Sequence, residues 1–398
     1  MRLSTTGSSD ATPPQPSPDL AVVAAVVAGA CTFLSVYCTQ PLLPLFQRLF
    51  AASEVEVSFT VGAVTLSVAL VAPFVGMLAE SIGRKRVIVP ALFAMAIPMF
   101  FAATATNLRA LIGWRLAQGV FVPGVIAVII AYINEEFTDR RGFVMAAYVT
   151  GGVFGGFMGR FLTGIITERW NWRAAFVLLG LLDLLGAWAV LRWLPLAKSF
   201  VPGKNVSHSL REALGHLGNW RLLAICGMGF TVLFSLVGVF TYVNFYLAQP
   251  PYSLRPGALG SVFAVYLLGC VVTPLAGRFL DRRGFRQTAL LALGMNLAGL
   301  AATLAHSLPL VIAGLALFSS GIFVAQSAAT VQTGQVAERA RSAAAGIYVT
   351  CYYIGGTAGS AAPGWFWHQG GWPACVGLFA AVSVLTVLFA LAGKSRAT

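Results

Sequence analysis

Charge is scarce in this chain. Only 10% of its 398 residues are Asp, Glu, Lys or Arg, against about 25% in a soluble domain. Acidic residues are the scarcer sign, 13 against 26 Lys and Arg. The four histidines (His208, His216, His306, His368) are scattered, with no His-Glu-x-x-His, so no hydrolytic or metal chemistry is indicated. The six cysteines (Cys31, Cys38, Cys226, Cys270, Cys351, Cys375) fall inside apolar stretches. That pattern excludes zinc and redox motifs and reads as small core residues without disulfides. Gly393-Lys394-Ser395 resembles the end of a phosphate-binding loop, but Leu388 stands where its first glycine belongs. An ATP-driven pump is therefore excluded. Apolar residues make up 58% of the chain and mean hydropathy is +0.81. A water-soluble enzyme, a disordered chain and a nucleic-acid binder are ruled out. The composition is that of an integral membrane protein.

Residues 1–18 are Ser, Thr and Pro-rich with one basic residue, which predicts a disordered tail and no signal peptide. Apolar segments follow at approximately 20–45, 57–79, 87–105, 108–134, 143–167 and 172–194, and again at 220–247, 258–280, 287–305, 308–334, 343–365 and 372–393. Each is long enough to span a bilayer as a helix. The expected fold is all-α: twelve transmembrane helices in two bundles, 19–194 and 220–393, joined by a linker at 195–219 and followed by a tail at 394–398. Within the linker, Ser209-Leu210-Arg211-Glu212 has the pattern of a capping box and precedes Ala213, Leu214 and Leu217. A short amphipathic helix on the membrane face is expected there. With the tails inside, the inner loops hold 19 of the 26 basic residues and the outer loops five. Both termini are then cytoplasmic and the membrane is the inner, plasma membrane.

The two halves repeat each other. Pro73-x-x-Gly76-x-x-x-Glu80-x-x-Gly83-x-Lys85 returns as Pro274-x-x-Gly277-x-x-x-Asp281-x-x-Gly284-x-Arg286. Between 141–174 and 341–374, ten of 34 positions are identical, among them Tyr148/Tyr348, Gly155/Gly355, Gly156/Gly356, Gly159/Gly359 and Trp172/Trp372. A duplicated six-helix unit suits a machine whose halves rock about a central site.

The loop Gly76-Met77-Leu78-Ala79-Glu80-Ser81-Ile82-Gly83-Arg84-Lys85-Arg86 resembles the signature of the major facilitator superfamily, and Gly277 to Arg286 resembles its second copy. Arg115-Leu116-Ala117-Gln118-Gly119 is similar to the family's Arg-x-x-Gln-Gly motif, associated with proton coupling. Gly142, Gly151, Gly155, Gly156 and Gly159 keep the spacing of the drug–proton antiporter branch. The sequence departs from that branch at Glu80, Ser81, Gly156 and Arg160, and span 1 offers only Tyr37, Thr39 and Gln40 where many members carry an acid. The resemblance implies gating by Gly76, Glu80, Gly83 and Arg84 and by Gly277, Asp281, Gly284 and Arg286. Glu80 and Asp281 would each meet a helix start in the opposite half, near 343 and 143.

Three ionisable residues lie inside spans, where a charge must face a cavity or a partner. Arg115 is roughly 10 Å, Arg160 roughly 12 Å and Asp183 roughly 16 Å from the outer ends of spans 4, 5 and 6. The aligned positions of the second half hold Leu317, Ser360 and Ser383. Arg115 and Arg160 are expected to line the cavity, where they bind an anionic group or hold a titrating partner, with Asp183 then a counter-ion and a candidate proton carrier. Replacing Arg115 by alanine should then abolish transport and spare folding. The alternative is that Asp183 neutralises an arginine to fix packing. Under the resemblance, Tyr37, Gln40, Gln118, Phe121, Phe234, Tyr242, Asn244 and Gln326 are the polar and aromatic lining, with Tyr348, Tyr352 and Tyr353 as a further set. Gly151, Gly155 and Gly159, with Gly355 and Gly359, are expected to pack helices closely or to form a sliding surface between the halves.

The expected function is alternating-access transport without chemistry: proton-coupled efflux of a small amphiphilic or anionic organic compound. Its partners would be that solute, protons and the bilayer. The energy source is the proton gradient, no cofactor is required, and a monomer suffices. The alternatives are proton symport or facilitated uptake of a sugar or organic acid, lipid flipping, and a non-transporting membrane receptor. The short segment after the last span argues against the receptor.

Overall fold

In the computed structural model, residues 18–197, 219–336 and 341–392 are described. The predicted linker helix at 209–217 and both tails lie outside them. Among the described residues, ten segments are long and apolar enough to cross a membrane, and the longest of these, Pro256–Ala302, has 47 residues. It is two spans joined at Gly284, where the backbone leaves the helix with φ 77 and ψ 171. Span 1 comprises Pro18–Val36, a 3-10 turn at Gln40–Leu42 and Leu43–Phe50. Spans 2 to 6 are Glu54–Ile82, Arg84–Ala103, Leu108–Glu136, Arg141–Arg169 and Trp172–Trp193. Span 7 is Trp220–Ala248, and span 8 passes through Pro256–Val262 and a 3-10 stretch, Phe263–Leu268, into Gly269–Ala302. Span 9 is the part of that last helix beyond Gly284, and span 10 is Leu308–Val336. Span 11 begins with Arg341–Ala361 and runs on into Pro363–Ala392, which breaks at Gly370 and Gly371 before span 12.

Local chemistry accounts for these boundaries. Ser53 opens span 2 with a capping box to Glu56. Asn107, Asn171 and Asn219 cap spans 4, 6 and 7 through their side-chain oxygens, satisfying amides that a helix start leaves free. Span 1 was expected as one continuous segment and is interrupted instead. Pro41 and Pro44 lack the N–H groups that a continuous helix needs there. Gly83, at φ 100, turns the chain between spans 2 and 3, and Gly284 does the same between spans 8 and 9; both angles favour glycine. Large exposed side chains such as Leu70, Phe74, Leu185, Val271 and Trp365 are apolar, as a lipid-facing surface requires.

The glycine ridges pack within the halves. A Cβ on Gly155 would strike the Ala30 carbonyl, and one on Gly159 the carbonyl of Leu34, while Gly151 lies against Val26. Gly355 and Gly359 likewise meet the backbone of Phe230 and Phe234. Each ridge thus seats its span on the first span of its own six-helix unit. The expectation of a sliding surface between halves is corrected on this point, because small residues here close the interior of each bundle.

The halves meet at one end. We call this end, which carries the turns near 52, 105, 170, 252, 305 and 370, distal. The opposite end, with the turns at 83 and 284, is proximal. At the distal end a Cβ on Gly62 of span 2 would hit the Ser360 hydroxyl of span 11, and one on Gly164 of span 5 the Pro256 carbonyl of span 8. Glu168 accepts from the Gly257 amide at 3.0 Å and lies 3.9 Å from Arg255. Glu54 accepts from the Trp367 indole at 3.2 Å and sits 3.7 Å from His368. Deeper in, the Thr65 and Thr357 hydroxyls are 2.9 Å apart. Nearer the proximal end the glycines are open: no described residue outside the same helix lies within 4 Å of where a Cβ would stand on Gly76, Gly142, Gly277 or Gly346.

Candidate functional site

Arg115 is fully buried in span 4, and its guanidinium is consumed by the interrupted end of span 1. It donates to the Ser35 carbonyl at 2.9 Å, to the Val36 carbonyl, to the Thr60 carbonyl of span 2 at 3.1 Å and to Gln118 Oε1. A helix that stops inside a membrane exposes carbonyls with no water to solvate them. Arg115 supplies their donors. The expectation that it lines an open cavity is corrected: the fold takes its hydrogen bonds for the backbone. Gln118 is buried beside it, with its amide nitrogen unpartnered among the described residues.

Asp183 of span 6, 1% exposed, reaches the same knot from the other side. The Ser35 hydroxyl donates to Oδ2, and Oδ1 has no hydrogen-bond partner among the described residues. Ser35 therefore stands between the two charges, its carbonyl on Arg115 and its hydroxyl on Asp183. The expected direct counter-ion contact is replaced by this one-residue bridge.

Arg160 of span 5 is built differently. The residue is 3% exposed, at the seam between the halves. Nε donates to Gln40 Oε1 at 2.7 Å and Nη1 to the Gly156 carbonyl. Ring faces surround the rest: Tyr37 at 4.9 Å, Phe263 at 4.7 Å and Tyr266 at 5.0 Å. No carboxylate lies within ion-pair distance among the described residues. Gln40 extends the contact across the seam, its amide donating to Thr241 Oγ1 of span 7 at 3.3 Å. The tyrosines of span 11 adjoin this cage. Tyr352 stacks on Tyr348 at 6.1 Å and packs edge-on to Tyr353 at 5.4 Å.

This arrangement, two six-helix bundles closed at one end around a pair of buried arginines, agrees with the sequence comparisons. The profile of the Major Facilitator Superfamily matches residues 25–254 and 247–397. The chain belongs to the Major Facilitator Superfamily. It is 32% identical over 368 residues to the inner membrane transport protein YnfM of Escherichia coli (strain K12), covering 91% of this chain and 87% of that protein. It is 30% identical over 353 residues to the uncharacterized MFS-type transporter YybF of Bacillus subtilis (strain 168), covering 88% and 87%. Among solved structures it shares the fold of the nucleoside transporter NupG (TM-score 0.75, 15% identity, 94% of this chain and 100% of that one). A bacterial homolog of the human lysosomal transporter Spinster, in an inward-facing unoccupied conformation, matches with TM-score 0.73 and 16% identity over 95% and 99%. The chain is a multi-pass membrane transporter and not an enzyme.

In the superfamily loop, Glu80 is half-buried and Asp281 exposed, and neither has an ion-pair partner among the described residues. Arg84 instead binds Glu135 of span 4 with two bonds, at 2.7 and 3.1 Å. Arg286 is exposed. Of the proposed lining, Tyr37 and Gln40 join the Arg160 cage, and Phe121 is half-buried against the core. Gln326 is half-buried and accepts from the Tyr348 hydroxyl at 3.3 Å. Three others are corrected. Tyr242 spends its hydroxyl on the Ser360 carbonyl, 3.3 Å away at the distal end, beside Trp367. Asn244 bonds back to the Phe240 carbonyl of its own helix at 2.6 Å. Phe234 lines an apolar groove of about 410 Å³ between spans 7, 11 and 12, with the exposed Leu223, Ile354 and Leu385. Sequence reasoning missed Phe263 and Tyr266. Their spacing of three in an apolar run brings both rings to one side of the 3-10 stretch, and that was the available signal.

Proposed function

We propose that this protein is a proton-coupled exporter of small amphiphilic or anionic organic compounds, working by alternating access across the inner membrane. The observation that carries the reading is the one-sided closure of the seam. The excess of Lys and Arg in the proximal loops supports a cytoplasmic position for the open end, and a state so oriented would admit solute from inside. Arg160 supplies positive charge at the seam, and Asp183, a buried acid with one oxygen unpartnered, supplies a group whose proton can come and go. The test uses purified protein in liposomes under an imposed pH gradient, with organic anions, cations and sugars offered in turn. Gradient-driven movement of an organic anion against its concentration is expected. Movement of sugars alone, or movement unaffected by the gradient, would overturn the reading.

Spans 2 and 11 support a reading of the second half of the cycle. Gly76 lies fourteen residues beyond Gly62, and Gly346 fourteen before Ser360. At 100° per residue that offset returns each position to within about 40° of the same helix face, about 21 Å nearer the cytoplasm. Gly76 and Gly346 therefore face one another across the open end, as Gly62 and Ser360 do across the closed one. Gly76→Leu should fold like the wild type, because no described residue crowds the site, yet lose about tenfold in turnover from the overpacking it imposes on closure. Gly62→Leu should instead lower the yield of folded protein. Unchanged turnover in Gly76→Leu would count against closure at this point.

A further inference from the structure

We propose that Arg160 is the receptor for the anionic group of an aromatic monoanion, and that the same arginine is the clasp holding the distal end shut, so that binding the anion releases it. The proposal rests on the transport reading above and specifies its solute.

The cage is made by both halves. Tyr37, Gln40 and Arg160 belong to the first, and Phe263 and Tyr266 to the second. Where Arg160 starts its contact with span 8, the backbones are also close: a Cβ on Gly260 would lie 2.6 Å from the Arg160 carbonyl. The guanidinium thus bridges the seam through ring faces alone. A ring face attracts a cation through its quadrupole, a weaker hold than a full negative charge forming paired hydrogen bonds. A carboxylate arriving from the open side would therefore draw the guanidinium out of the rings. The box is already filled by a cation, so a cationic ligand gains nothing there and is repelled by Arg160. One unpaired arginine calls for one negative charge, since the other buried arginine, Arg115, is fully engaged. The faces that Arg160 vacates on Phe263 and Tyr266 stand at 89° to one another, so a flat ring entering there stacks on one and meets the other edge to face. Because anion binding and clasp opening draw on the same group, the solute changes the balance between states by its preference for the released one.

The test uses the full chain with its native cysteines replaced by alanine, and with Glu168→Cys and Arg255→Cys as a reporter pair across the distal seam. Crosslinking by a bifunctional thiosulfonate is measured with benzoate, benzamide or benzamidine present, and benzoate binding is measured by calorimetry. Benzoate is expected to lower the crosslinking rate about tenfold, and the neutral and cationic isosteres to leave it unchanged. Arg160→Gln should crosslink slowly without any ligand and lose benzoate affinity by about thirtyfold or more. Arg160→Lys should recover part of that affinity. Should Arg160→Gln fail to fold, Tyr266→Leu serves: it keeps the cation, so benzoate must still bind while resting crosslinking falls. Benzoate binding equally to Arg160→Gln, or binding to the wild type without changing crosslinking, overturns the proposal. Transport of sugars or cations with no Arg160-dependent benzoate binding would sink this inference and the anionic solute but leave alternating access standing. Arg160-dependent binding and release without transport of any solute would do the reverse.

Discussion

Replacing Arg115 by alanine is expected to remove folded protein from the membrane rather than produce a folded, inactive transporter. The monodisperse yield after detergent extraction should fall tenfold or more. Arg115 donates to three backbone carbonyls, those of Ser35, Val36 and Thr60. Hydrogen bonds involving a charged partner contribute about 1.5–3 kcal/mol each. Losing three therefore costs roughly 5 kcal/mol or more, comparable with the whole stability of many proteins. Arg115→Lys retains a charge but cannot reach several acceptors at once, so an intermediate yield is expected. Arg109→Ala, on an exposed position of the same span, provides the control and should leave the yield unchanged. Normal yield of Arg115→Ala with transport abolished would restore the sequence-based assignment of this arginine to the transport cavity.

Asp183→Asn should separate exchange from energy coupling. Asparagine keeps the shape and the oxygen that accepts from the Ser35 hydroxyl, but it carries no exchangeable charge. A proton descending about two pH units releases about 2.7 kcal/mol, enough for about a hundredfold accumulation through a one-to-one exchange. In liposomes, with an organic anion shown to be carried, the wild type should reach that order of accumulation and the variant none. Exchange at equal pH on both sides should persist in both. Accumulation by Asp183→Asn equal to the wild type would place the proton elsewhere. Because the carboxyl touches the serine that Arg115 also holds, loss of exchange together with loss of yield would mark Asp183 as a packing residue only.

The helical halves were legible because hydropathy and a doubled Gly, Pro and Trp pattern are local properties of the chain. Arg115, Arg160 and Asp183 were legible for the same reason: charges inside apolar runs are visible without knowing their neighbours. Their partners were not. Arg115 binds backbone carbonyls, which carry no residue signature, and the span 1 interruption that frees them depends on Pro41 and Pro44 acting together. Phe263 and Tyr266 stand about a hundred positions from Arg160 and become its neighbours only through the meeting of spans 5 and 8. The glycines illustrate the same limit. Gly155 announced a close approach, but only the structure identifies Ala30 of its own bundle as the partner. Tyr242 and Asn244 looked suited to a solute because each carries a polar tip, and each finds a carbonyl within its own bundle.

The buried charges are lopsided. Arg115, Arg160 and Asp183 all sit in the first six spans, and the buried polar residues of the second six are uncharged among the described residues. In the proposed cycle, in which the lobes swing, the membrane voltage would thus act on one of them. That lobe carries one net positive charge with Asp183 ionised and two once it is protonated. Since a full crossing of the field corresponds to about 2.3 kcal/mol per charge at 100 mV, even a partial displacement would give the resting potential a grip on which way the molecule points, and that grip would double on protonation of Asp183.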